Sequence, residues 1–110
     1  MIVELKRPHS RYRDLTPGRP YVVIGIEAND FRILNDQGQP FLYPARIFAI
    51  VDCREPDEWT SEVGEQGERY AYPVPLNTVG FFENFFDGNR RAVRTFWRVV
   101  NEHLAAAAAR

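Results

Sequence analysis

The sequence predicts a mainly β fold with some α structure: a small antiparallel β-barrel, an added hairpin and a C-terminal helix, in a single domain over residues 1–110. Three observations carry this. Between Leu15 and Asp52, short runs rich in β-branched and aromatic residues are separated by Pro, Gly, Asn and Asp turns. Residues 57–73 hold another pair of such runs around the turn Gly64-Glu65-Gln66-Gly67. From Arg90 to Ala108, apolar residues recur at helical spacing without a breaker.

In chain order, Ile2-Val3-Glu4-Leu5 alternates as a first strand should, closing the barrel edge. Lys6 to Arg13 holds four basic residues and His9 with almost nothing apolar. It reads as an exposed loop; only Tyr12 interleaves, which is a poor platform for nucleic acid, so solvation explains it better than phosphate contact. Pro17-Gly18 is a turn. Tyr21 to Glu27 follows as a strand, with Val22, Ile24 and Ile26 on one face and Val23, Gly25 and Glu27 on the other. Gly25 within it marks a bulge or the close approach of another backbone. Ala28-Asn29-Asp30 turns the chain into Phe31-Arg32-Ile33-Leu34, and Asn35-Asp36-Gln37-Gly38 turns it back into Phe41-Leu42-Tyr43. Pro44 ends that strand, Ile47-Phe48 tightens into a helical turn, and Ala49 to Val51 closes the set.

This succession over residues 15–52 resembles the SH3-like barrels of many small bacterial and phage proteins. The resemblance speaks for the fold and is nearly silent on function, because such barrels host many.

After the barrel, Asp52, Glu55, Asp57, Glu58, Glu62, Glu65 and Glu68 crowd together, relieved only by Arg54. Trp59 and Val63 share a strand face in this run, and Glu68 to Tyr72 is the partner strand. Carboxylates serve acid–base chemistry only in contrasting environments, and these read as evenly solvated. Nor do they follow the register of a calcium loop. A solvated acidic face or a docking surface for a basic partner remains, with Asp57, Glu58, Trp59 and Glu62 as the candidate partner-binding residues.

Phe81-Phe82-Glu83-Asn84-Phe85-Phe86 predicts a short helix over residues 81–87 that plugs one end of the barrel, unless part of its aromatic face is left for a partner. Gly88 suits a left-handed cap. Asn89 is the N-cap of a helix over residues 90–108, with Val93, Phe96, Trp97, Val100 and Leu104 as its buried stripe. Arg90, Arg91, Arg94 and Arg98 lie mainly off that stripe. They are alternative phosphate contacts, or they neutralise the acidic hairpin; Arg98 and Glu102 are spaced to pair.

Net charge is −1, which argues against a general binder of nucleic acid or membrane surfaces. The distribution is uneven: residues 1–20 carry five Lys/Arg against two acids, residues 21–68 three against ten, and residues 69–110 six against three. Catalysis finds no support. His9 lies in a loop, His103 near a helix end, and Cys53 beside acids that raise a thiol pKa. One Cys and two distant His exclude a structural zinc site, no glycine motif cradles phosphate, and no cofactor or metal is implied. A lone cysteine, no signal peptide and no membrane-length apolar run predict a cytoplasmic protein without membrane association.

A wider pattern joins Trp59, Gly67, Tyr70-Ala71-Tyr72-Pro73, Gly80-Phe81-Phe82-Glu83 and Phe86-Asp87-Gly88. It resembles small bacterial proteins encoded beside polymorphic or contact-delivered toxins. That resemblance implies an immunity protein whose partner is a toxin domain, although the basic termini depart from the acidic character of a nuclease inhibitor. The sequence therefore predicts a non-catalytic protein-binding module. The rivals are an accessory nucleic-acid-binding protein using the helix arginines, and a structural subunit of a bacterial or phage assembly.

Overall fold

The computed structural model describes residues 1–109. Its seven strands are β1 (Ile2–Leu5), β2 (Pro20–Glu27), β3 (Asp30–Leu34), β4 (Pro40–Pro44), β5 (Phe48–Asp52), β6 (Trp59–Val63) and β7 (Arg69–Pro73). Two helices follow, α1 (Phe81–Phe86) and α2 (Arg90–Ala108). All the strands belong to one antiparallel sheet with the order β4-β3-β2-β1-β5, and no pairing joins β4 to β5 among the described residues. The helical turn expected near Ile47 is a 3-10 turn at Ala45–Ile47.

The hairpin β6–β7 is part of this sheet rather than an appendage. β1 pairs with the first half of β2, from Pro20 to Val22, and β7 pairs with its end, at Ile26 and Glu27. β2 is thus the strand to which both halves of the sheet attach.

A bulge in β2 decides where its side chains go. Pairing with β3 runs Val23 to Ile33 and then Gly25 to Arg32, which leaves Ile24 as the extra residue. The extra residue shifts the alternation, so Tyr21, Val23 and Ile26 enter one apolar cluster while Ile24 enters another. The simple grouping of Val22, Ile24 and Ile26 on one face is therefore corrected. Gly25 is required beside the bulge because a Cβ there would run into the ring of Tyr72. The close approach is a side chain, not a backbone.

The first cluster lies on one face of the sheet and includes Val3, Leu5, Val23, Ile33, Phe48 and Ala71. The second joins Ile24 and Tyr72 to the helical layer through Leu76, Phe81, Phe96, Val99 and Val100. Phe82 and Phe85 pack on this second cluster, so α1 covers the sheet's other side instead of plugging the first core. Phe86 lies at the margin, 47% exposed, against Phe41 at a ring separation of 5.5 Å.

Asn89 caps α2 as its chemistry predicts, its side-chain oxygen accepting from the Ala92 N–H at 3.0 Å. The buried stripe of α2 is Ala92, Phe96, Val99 and Val100. Val93 and Trp97 are only half-buried and Leu104 is exposed. Relative to the expected stripe the helix is rolled toward Ala92 and Val99, because it docks on Ile24, Tyr72 and the α1 phenylalanines together.

Candidate functional site

Among the described residues β6 is the outermost strand of its half of the sheet, paired with β7 alone. Its register sets Ser61 opposite Ala71 and Glu62 opposite Tyr70. Strand alternation then divides the predicted patch: Trp59, Ser61 and Val63 lie on the side of Ala71, and Thr60 and Glu62 on the side of Tyr70 and Tyr72. Trp59 is half-buried against the first cluster, and its indole N–H is buried without a hydrogen-bond partner among the described residues. It is not a bare anchor between carboxylates.

The acids do not form one evenly solvated face. Glu55 accepts from Arg69 with both oxygens, each at 2.6 Å, and Arg69 also donates to Ser61 Oγ. That hydrogen bonding from Arg69 holds the Glu55 carboxyl below its ordinary range, against the opposing effect of partial burial. Asp52 is bound by Arg54 at 2.6 Å, and Glu58 Oε1 lies 3.3 Å from His103 Nε2. Asp57 and Glu62 are exposed and make no ion pair or side-chain hydrogen bond among the described residues. Of the hairpin's carboxylates, these two and Glu65 are uncommitted.

Arg90, Arg91, Arg94 and Arg98 are all exposed on α2, and none forms an ion pair among the described residues. Arg98 and Glu102 do not pair; Arg69 and Arg54 pair with Glu55 and Asp52, and Glu58 lies against His103.

Two polar clusters escaped the sequence reading. In the first, the Arg32 side chain is almost wholly buried where β2, β3 and β7 meet. Its Nε donates to Tyr72 Oη, Nη1 to the Pro40 carbonyl and Nη2 to Glu27 Oε2, each at 2.7 Å. The guanidinium carbon stands 3.7 Å from the centroid of the Phe82 ring. Tyr72 donates to the same Glu27 oxygen at 2.5 Å, and burial pushes its phenol pKa well up, so it stays protonated and keeps donating. Every member has its partners, so the cluster is a clamp between sheet and helices rather than a reactive group. An arginine inside Phe-x-Ile-Leu was the available signal, since a buried guanidinium needs several acceptors.

The second cluster ties the basic loop to the β3–β4 turn. Asp36 accepts from Thr16 Oγ1 at 2.6 Å, Tyr21 Oη at 2.6 Å and Arg19 Nη1 at 2.9 Å. Tyr43 donates to Asp14 at 2.5 Å, and Asn35 Nδ2 donates to both. Beside this cluster, between β2 and α2, opens a cleft of about 330 Å³.

Among the described residues no group of His, Cys, Asp and Glu is placed to hold a metal ion, and no helix is long and apolar enough to cross a membrane. Comparison with protein-family models, curated proteins and solved structures finds no match to this chain.

Proposed function

We propose that the chain is a non-catalytic protein-binding module, and that its partner is a basic protein docking along the outer edge of β6. The carrying observation is the contrast within the acidic run. Asp52, Glu55, Glu58 and Glu68 have partners within the molecule, while Asp57, Glu62 and Glu65 stand uncommitted, Asp57 and Glu62 beside a strand whose outer edge has no neighbour among the described residues. Val63, 73% exposed on that strand, supplies apolar area next to the charges. The resemblance to immunity proteins makes a toxin domain the natural partner and the cytoplasm the natural compartment. The strand order β4-β3-β2-β1-β5, with a 3-10 turn before β5, supports the SH3-like barrel as the underlying fold.

The test is capture on immobilised protein at low and moderate salt, comparing the natural chain with the double variant Asp57→Lys, Glu62→Lys. A stoichiometric basic protein retained by the first and lost by the second, with unchanged thermal unfolding, is the expected result. Equal retention by both removes the β6 edge from the reading.

A second reading rests on the four unpaired arginines of α2. It predicts nucleic-acid retention with steep salt dependence, abolished by Arg90→Glu and Arg94→Glu.

A further inference from the structure

The cleft between β2 and α2 is floored by Ile24, Val99 and Val100, with Val22, Leu34 and Leu104 as its walls. These side chains offer no hydrogen bonds, so water entering this hollow loses partners it cannot replace. An enclosed apolar cavity of about 150 Å³ holds a benzene ring; this cleft is open on one side and polar at its mouth, with its apolar surface below. At about 330 Å³ the cleft has room for an eight-carbon chain or a substituted ring. An apolar chain lying on these walls would remove their apolar surface from water.

The polar atoms at the mouth are nearly all committed. Asp36 accepts three hydrogen bonds, from Thr16, Tyr21 and Arg19. Asn35 donates to Asp14 and Tyr43 and accepts from the Gln37 and Gln39 N–H groups. His103 has its Nε2 on Glu58. Arg19 differs: only Nη1 is engaged, by Asp36, and its guanidinium is set over the Tyr21 ring at 5.7 Å. Its Nε and Nη2 remain as charged donors at the mouth, in the fork geometry that fits a carboxylate.

We infer that the cleft between β2 and α2 binds a small amphiphilic acid, whose apolar body lies on Ile24, Val99 and Val100 and whose carboxylate meets Arg19. This site is separate from the β6 edge and does not depend on the protein-binding reading.

The probe is sodium octanoate, titrated into the isotopically labelled protein and followed by backbone amide shifts, with octanol and octylammonium as comparators. Saturable shifts confined to the cleft residues are expected, with octanoate binding about tenfold tighter than octylammonium. Arg19→Gln should weaken octanoate by about the same factor and leave octanol unchanged. Leu104→Trp, at the exposed edge of the cleft, should block all three by filling it. Absence of saturable shifts overturns the site. Equal affinity for octanoate and octylammonium, or an Arg19→Gln variant that binds octanoate as well as the natural chain, overturns the assignment to acids.

Discussion

The two apolar clusters on either side of β2 arrange their aromatic rings differently, in separate pairs in the first and in a connected set in the second. The first draws mostly aliphatic residues from alternate strand positions, among them Val3, Leu5, Val23, Ile26 and Ile33. In the second the rings form one connected set among aliphatic neighbours: Phe82, Phe85 and Phe96 stand 4.6 to 6.5 Å apart, and Tyr72, Phe81 and Trp97 extend the chain of rings. Neighbouring strands bring their faces close enough for β-branched layers to fill the space. A two-turn helix and a longer one laid over a sheet leave wider gaps, and rings bridge them. Where the rings stop, toward Val99 and Leu104, the cleft remains open. Cohesion in the second cluster thus comes with a hollow at its edge.

Substitutions can break or sharpen this contrast. The largest effect is expected from Phe96→Ala, which empties the centre of the aromatic cluster at a residue with no exposure. It should cost about 4 kcal/mol in urea unfolding. One transition seen equally by Trp fluorescence and far-ultraviolet circular dichroism would show the clusters to be cooperative; two separated transitions would show the sheet surviving without its helical layer.

Arg32→Met comes next, because it leaves Glu27 and the Pro40 carbonyl without the donor that now serves both. A loss of about 3 kcal/mol is expected, measured in the same way. A neutral result would mean that packing on Phe82, not charge pairing, holds the two layers together.

Asn89→Ala removes the cap of α2 and should cost about 1 kcal/mol, read as a lower thermal midpoint. The smallest effect belongs to Glu55→Gln, at under about 1 kcal/mol because the pair with Arg69 is partly exposed. Its pH dependence has a definite sign. The folded pKa of Glu55 is depressed, so its contribution is present above the unfolded value of about 4.3 and is lost as pH falls through the folded one. The difference in melting temperature between natural and variant chains should therefore vanish in acid.

Much of the architecture was legible because turns and alternation are local. The Ala28–Asp30 and Asn35–Gly38 turns, the first strand, the β6–β7 hairpin and the Asn89 cap follow from neighbouring residues alone. What could not be read depends on contacts distant in sequence. The attachment of β7 to β2, the roll of α2 and the layer to which α1 belongs are set by surfaces that meet only in the folded chain. The acidic run illustrates the same limit. Its composition announces carboxylates, but only the fold says that Arg69 takes Glu55 and Glu58 meets His103, leaving Asp57, Glu62 and Glu65 open. Arg32 was passed over because one charge in a strand looks exposed until its three acceptors are gathered from Glu27, Pro40 and Tyr72.

The bulge at Ile24 carries a kinetic consequence. Hairpins β2–β3 and β3–β4 close short loops, so the contact of Val23 with Ile33 is expected to form early in folding. Ile24 packs with Val99 and Val100, far along the chain, and such long-range contacts are expected to form late. In stopped-flow experiments Val23→Ala should mainly slow refolding, and Ile24→Val should mainly hasten unfolding. Two side chains joined by one peptide bond thus report opposite sides of the folding barrier.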